Sequence, residues 1–176
     1  TLCDDGDFTE IGRLSGGGVD AFVCGFGRID GRMVAIGAED FTVAGGSIGI
    51  SESSKRYRIA EVALQERVPL IMLLDGAGHR PLRPDDPLTG RIPGDLQMQA
   101  QLSGRIPFAT AVLGPSAGHG ALSAPLADFT VMTPTSSIFS GGPPLVKASL
   151  GEEVTKEELG GPEVALRSGL IHNLSV

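Results

Sequence analysis

Two cysteines, three histidines and 14 lysines and arginines are spread over 176 residues. Cys3 and Cys24 are too few and too far apart to form a zinc site or a CxxC redox pair. They predict reduced thiols and a cytoplasmic setting. The 14 cations face 21 aspartates and glutamates, a net charge of −7. That balance offers no general surface for nucleic acid, although a local basic patch for a phosphate-bearing small molecule is left open. No run approaches the roughly 20 apolar residues of a membrane span. The acidic stretch Thr1 to Glu10 has neither the basic nor the apolar region of a signal peptide. No repeat or low-complexity linker marks a second domain, so residues 1–176 read as one soluble domain with a core of its own.

Glycine and proline are plentiful, at 26 and 12 residues, and hydrophobic residues make up 41%. Many tight turns around a buried core follow. Asp20 to Ile29, the turn Asp30-Gly31 and Arg32 to Gly37 predict a two-residue β-hairpin. Phe41 to Ala44 is a candidate further strand. Ser51 to Arg67 reads as an amphipathic helix, with Ile59, Ala60, Ala63 and Leu64 on the apolar face. Glu52, Lys55, Arg56, Glu61 and Glu66 make its polar face, and Pro69 ends it. Leu70 to Leu74 is uniformly apolar, as a strand buried on both sides would be. Residues 81–93, with Pro81, Pro84, Pro87 and Pro93, read as a surface loop, and Asp95 to Leu102 as a short helix. Strands are expected behind Pro107 and at Phe129 to Met132. A second apolar pair, Ile138-Phe139, leads to a glycine turn at Ser140 to Pro144. Thr155-Lys156-Glu157-Glu158 has capping-box spacing for a helix that stops at Gly160-Gly161. Alternating strands and helices indicate an α/β layer fold.

Two stretches share one character. Leu70 to Leu74 runs into Asp75-Gly76-Ala77-Gly78-His79-Arg80, and Phe108 to Val112 runs into Leu113-Gly114-Pro115-Ser116-Ala117-Gly118-His119-Gly120. In the second, Ala117, Ala121, Leu122, Ala124 and Leu126 suit a buried helix after the turn, with Leu122 as a core residue. Amides in the first turn of such a helix lack intrahelical acceptors and carry partial positive charge, and glycine admits a close approach. The stretch is either a tight strand-to-helix connection without chemistry or a cradle for negative charge developing on a substrate oxygen. If neighbouring parallel strands feed both turns, the turns lie side by side.

The segment Val112 to Gly120, with Asp128 downstream, resembles the crotonase superfamily's strand, glycine-rich oxyanion turn and buried helix. A narrower similarity rests on Gly27 to Arg32, Asp40 to Ser47, Pro69 to Arg80 and Gly151 to Gly161. Together these look like the carboxyltransferase subunit of biotin-dependent acyl-CoA carboxylases, over about Asp7 to Val176. The resemblance implies a crotonase-type ββα superhelix with stacked sheets flanked by helices. It also implies that this chain is the N-terminal of two related domains. The C-terminal partner domain, a biotin carboxyl carrier protein and a higher oligomer would complete the enzyme. A lone half would be poor at catalysis. The rival expectation is a non-catalytic paralogue kept for assembly or acyl-CoA binding.

The family's reaction carries a carboxyl group from carboxybiotin to the α-carbon of an acyl-CoA through an enolate. By resemblance, the amides of Gly118 and His119 would be the oxyanion donors, worth roughly 3 kcal/mol each. Substrate would be met by Gly78, His79, Arg80, Ala117, Gly120, Gly141 and Gly142. Arg80, with Lys55 or Arg56, is a candidate for the CoA phosphates. In the family the biotin ureido group is thought to take the α-proton, so no hydratase-type glutamate is needed, and Ala121-Leu122 supplies none. Asp75 and Asp128 are a conceivable acid and base pair, though Asp128 more readily braces the turn. His172 reads as structural, and no metal ligand set is implied. Two departures from the family pattern fall at one place: His79 stands where Ala is expected and His119 where Gly is expected. If the turns adjoin, the two imidazoles meet at one pocket mouth and narrow or close it.

Overall fold

The computed structural model describes residues 2–15, 20–81 and 94–175. Most of the glycine loop at 15–18 and of the proline-rich loop at 81–93 lies outside them. The remainder forms one mixed eight-stranded sheet with helices packed against it, the α/β arrangement expected. Strands β1 (Phe8–Ile11), β2 (Phe22–Ile29) and β3 (Arg32–Glu39) pair antiparallel. Beyond β3 the neighbours are parallel: β4 (Leu70–Gly76), β5 (Phe108–Ala117), β6 (Phe129–Met132) and β8 (Asn173–Leu174). The short β7 (Ser137–Phe139) pairs with the far end of β5, past the point where β6 leaves it.

The hairpin forms where its turn chemistry places it. Asp30 and Gly31 both have positive φ, 51° and 74°, the combination that matches the twist of the flanking strands. The Asp4 carboxylate accepts from both of their amides, at 3.0 and 2.9 Å. Phe41 to Ala44 is not a strand. Asp40 Oδ1 accepts from the Thr42 amide at 2.9 Å and from its hydroxyl at 2.6 Å, and this side-chain turn diverts the backbone as β3 ends. A short 3-10 turn at Ala44–Gly46 follows.

Helix α1 (Ile50–Glu66) ends on Arg67 in the left-handed conformation, two residues before Pro69. Its apolar face is as expected, with Ile59, Ala60 and Ala63 fully buried against Phe22, Leu70, Met72 and Leu74. On β4 only one side is sealed: Leu70, Met72 and Leu74 are buried, whereas Ile71 and Leu73 are half-buried. The uniform apolar run therefore corresponds to one covered face and one partly covered face. Helix α2 (Asp95–Ala100), the four-residue α3 (Gly118–Ala121) and a 3-10 turn at Ala124–Leu126 close the same side. Leu122 is 40% exposed and outside the core, because α3 is too short to carry the apolar spacing onward, and Ala121 and Ala124 take the buried places. Three helices follow β7: α4 (Pro143–Leu150) and α6 (Pro162–Arg167), which were not expected, and α5 (Lys156–Gly160), which was. Of these, α5 carries the expected capping box, Thr155 with Glu158.

The polar face of α1 departs furthest from expectation. Glu52, Lys55 and Arg56 are buried, held there by partners distant in sequence. Lys55 Nζ lies 2.9 Å from Asp20 and donates to the Phe22 carbonyl. Glu52 accepts from the Gly49 amide at the helix start, from the Ala21 amide and from Arg80. Arg56, with no solvent exposure, donates to Glu39 at 2.9 Å, to Asp95 at 2.9 Å and to Ser123 at 2.6 Å. Its guanidinium also sits 5.5 Å from the centre of the Phe22 ring.

Removing one charge from such a cluster strands the others. Arg56→Met is expected to lower stability by about 3–5 kcal/mol. Arg56→Lys is expected to recover only part of that, since an ammonium cannot reproduce the fork. Urea denaturation of the three proteins measures the series; a loss below 1 kcal/mol for Arg56→Met would contradict it.

Candidate active site

The turns after β4 and β5 adjoin, although some 40 residues separate them. Strand pairing carries on to Gly76 and Ser116 after a register shift beyond Leu74. A Cβ on Gly78 would stand 2.8 Å from the Ala117 carbonyl oxygen, and φ there is +83°. Any other residue would pay for both the contact and the backbone conformation. Gly118 has φ +58°, and a Cβ there would make ordinary contacts with Gly78 Cα at 3.6 Å and Ser140 O at 3.8 Å. The amides of Gly118 and His119 lie in the first turn of α3, without intrahelical acceptors.

Beside these turns the two histidines meet. The rings of His79 and His119 stack with centroids 4.2 Å apart and planes 9° from parallel. Neither folds away on its own. His79 Nε2 lies 3.4 Å from Ser53 Oγ on α1, and His79 bridges to Ile48, just before that helix. His119 Nε2 lies 2.7 Å from Asp95 Oδ1 on α2, while Asp95 Oδ2 accepts from Arg56. Beneath both turns sits Glu39. One of its oxygens accepts from Arg56 and the other from the Asp75 amide at 2.8 Å, and a Cβ on Gly120 would come within 2.5 Å of it.

The electrostatics follow from burial and pairing. For Asp95, burial pushes the carboxyl pKa up, but the His119 hydrogen bond and the Arg56 charge outweigh it and leave the group below the usual carboxylate range. For Glu39, burial wins over the attraction of Arg56 and the pKa is raised. His79 is held below the usual imidazole value, first by burial and then by repulsion from His119. Asp75 is raised by burial, and its Oδ1 has no partner among the described residues.

Of the residues singled out from sequence, Gly78, His79, Ala117, Gly118, His119 and Gly120 are brought together. Gly118 also looks across to Ser140, at the edge of the third glycine turn that holds Gly141 and Gly142. Lys55 and Arg56 are turned into the interior. Both are buried and ion-paired, so they are structural cations and not phosphate contacts. Arg80 keeps 27% of its side chain in solvent while pairing with Glu52. Asp75 and Asp128 are no acid and base pair. Asp75 packs against Gly114, whereas Asp128 accepts from the Phe108 amide at 2.8 Å, at the other end of β5. Asp128 thus braces the strand start and not the turn. His172 is structural, its Nδ1 accepting from the Thr130 amide. Among the described residues no group of three or more His, Cys, Asp or Glu is placed to hold a metal, and no helix is long and apolar enough to cross a membrane. Asp95, Glu39, Ser53 and Ser123 carry no local signal of a site. An acidic residue at a helix start, as Asp95 is, looks like a dipole partner until the fold supplies Arg56 and His119.

A family model described as "Carboxyl transferase domain" matches residues 5–175. Among curated proteins, the chain is 36% identical to methylmalonyl-CoA decarboxylase subunit alpha of Veillonella parvula over 177 residues, covering 91% of this chain and 34% of that protein. It is 34% identical to propionyl-CoA carboxylase beta chain of Saccharopolyspora erythraea over 188 residues, covering 99% and 34%. The fold matches transcarboxylase 12S at a TM-score of 0.86 with 36% identity, over 99% of this chain and 36% of that one. It matches the beta subunit of P. aeruginosa geranyl-CoA carboxylase at 0.84 with 28% identity, over 99% and 34%. The chain thus spans about a third of the length of these relatives.

The position of His79 sets a pH dependence. As its pKa is lowered from 6.5 in the folded protein, the unfolded chain binds the proton first as pH falls through about 6.5, and stability declines with it. His79→Phe retains an aromatic face for stacking and removes the proton site. Its melting temperature is expected to fall less steeply than that of the parent between pH 7 and pH 5; equal slopes would contradict the assignment.

Proposed function

The chain belongs to the carboxyl transferase domain family, and from that premise we propose that it is the acyl-CoA half of a biotin-dependent carboxyltransferase. The observation that carries this reading is the pair of adjoining glycine turns, which sets Gly118 against Gly78. The barrier in carboxyl transfer to an α-carbon lies in forming an enolate, whose charge gathers on the thioester oxygen. The Gly118 and His119 amides would stabilise that oxygen, each by roughly 3 kcal/mol if placed at hydrogen-bond distance. A backbone donor is kept whatever the side chain, so His119 does not remove the cradle. Gly78, Ala117 and Gly120 shape it, and the turn of Gly141 and Gly142 forms its far rim. Arg80 is the only one of the three candidate cations that reaches solvent, and so the one placed to meet an anionic part of CoA. Carboxybiotin, delivered on a carrier protein, supplies the carboxyl group.

A partner is required in this reading, and the surface supports one. Helix α4 buries none of its residues, and Leu145 and Leu150 are 60% and 68% exposed. Val164 and Leu166 on α6 are exposed as well. Apolar side chains grouped in one stretch of chain mark a face for association. A second crotonase-type domain, in the same polypeptide or another, is the occupant proposed, within an oligomer. Nothing in the geometry favours a non-catalytic paralogue.

The stacked histidines stand where acyl groups must pass and restrict the pocket to a short chain. Affinity for acetyl-, propionyl- and hexanoyl-CoA, measured by calorimetry for the parent, His79→Ala and His119→Gly, tests the assignment of the pocket. The variants are expected to gain at least tenfold for the longest chain relative to the shortest. An unchanged preference in both would sink the gating role, and no acyl-CoA binding by any of them would sink the functional reading. Carboxyl transfer should appear only when the protein is isolated with a biotinylated partner.

A further inference from the structure

We propose that His119 is a catalytic base and acid for the α-proton of the acyl thioester, and that Asp95 is its positioning residue. The proposal rests on the acyl-CoA reading above and adds a group of this chain to a proton transfer for which that reading otherwise needs the incoming biotin.

Four observations converge. First, His119 Nε2 is 2.7 Å from Asp95 Oδ1. Asp95 cannot donate if ionised, and Arg56 at 2.9 Å on its other oxygen keeps it ionised. The neutral imidazole therefore carries its hydrogen on Nε2, and Nδ1 presents the lone pair. Second, the ring hangs from the residue whose own amide is the proposed oxyanion donor, and 23% of its side chain is open to solvent. A thioester oxygen held by that amide would keep its α-carbon, two bonds away, in the neighbourhood of the same residue. Third, the ring bears on a buried carboxylate. Asp95 lies 2.7 Å from His119 Nε2 and is itself held by Arg56 at 2.9 Å. A proton arriving on His119 forms an ion pair with Asp95, so the ion formed in the reaction is stabilised where it forms. Fourth, the stacked partner does not compete. His79 faces Ser53, not a carboxylate, and stays the neutral member, its ring covering one face of the imidazolium.

The step balances without a further reactant. The α-carbon–hydrogen bond breaks, its electron pair enters the enolate and places the charge on the thioester oxygen, and the proton moves to Nδ1. In reverse the imidazolium returns a proton to the α-carbon, which also serves an enolate left by loss of carbon dioxide from a carboxylated acyl-CoA. The Nε2 hydrogen stays on the ring, and Asp95 holds it without taking it.

Exchange of the α-protons of propionyl-CoA with deuterium oxide, in the full chain and without biotin, tests the assignment by mass spectrometry. The parent is expected to incorporate deuterium, and His119→Gln to do so at least 100-fold more slowly while still binding propionyl-CoA. Binding without exchange by the parent, or equal exchange by His119→Gln, would overturn the proposal and leave the acyl-CoA reading standing; failure to bind would overturn both. A second readout needs no turnover. Nitrogen-15 spectra of the imidazoles above their titration are expected to show His119 as the Nε2–H tautomer in the parent and a mixture in Asp95→Asn. An Nδ1–H tautomer in the parent would overturn the proposal independently of folding in the variant.

Discussion

A guanidinium sealed from solvent has to be answered on every side, and the answers given to Arg56 tie the molecule together. Its three partners come from β3, from the start of α2 and from Ser123 just past α3. None is near it in sequence, so the cluster forms only when the sheet, the long helix and the second glycine turn are in place. Buried ion clusters are poor sources of net stability, because desolvation consumes most of the attraction. What this one does is select: an arrangement of the turns that left Glu39 or Asp95 unpaired would be heavily penalised. The same carboxylates that satisfy Arg56 also reach the site, Glu39 beneath Gly120 and the Asp75 amide, Asp95 beside His119.

The division of labour between backbone and side chains follows. Parallel pairing of β4 with β5 delivers their turns to one edge of the sheet, and the register shift after Leu74 sets Gly76 beside Ser116. Backbone alone then creates the cradle. Side chains determine what surrounds it: two imidazoles above and a charged cluster below. This separation explains how a histidine can occupy such a turn while its amide stays available, since the ring is held to one side by Asp95.

Elements governed by local chemistry were readable from sequence. The Asp30-Gly31 hairpin, the end of α1 before Pro69 and the Thr155 capping box each depend on residues within a few positions of one another. The adjacency of the two glycine turns was also readable, because it needs only that both strands be buried and parallel. Charges on α1 were not. Helical spacing puts Glu52, Lys55 and Arg56 on a polar face, and only the three-dimensional positions of Asp20, Glu39, Arg80 and Asp95 show that this face is interior. Leu122 failed for the opposite reason, since four residues of α3 do not sustain the spacing that would have buried it. At the site, the family pattern located the turns, while the partner of His119 had to come from a helix whose sequence advertises nothing.

The imidazole stack is anchored at both ends. His79 is bound to the strand-like bridge at Ile48, immediately ahead of α1, and His119 is bound to α2 through Asp95, while Arg56 clamps α1 to α2. The two rings therefore belong to one rigid frame rather than to two loops that meet by chance. A wall of this kind has its reorganisation settled during folding, so a ligand that fits finds the groups already oriented and loses little freedom to them. If acyl chains pass this wall, as proposed, it would discriminate among them as a fixed gauge, by exclusion at the moment of entry.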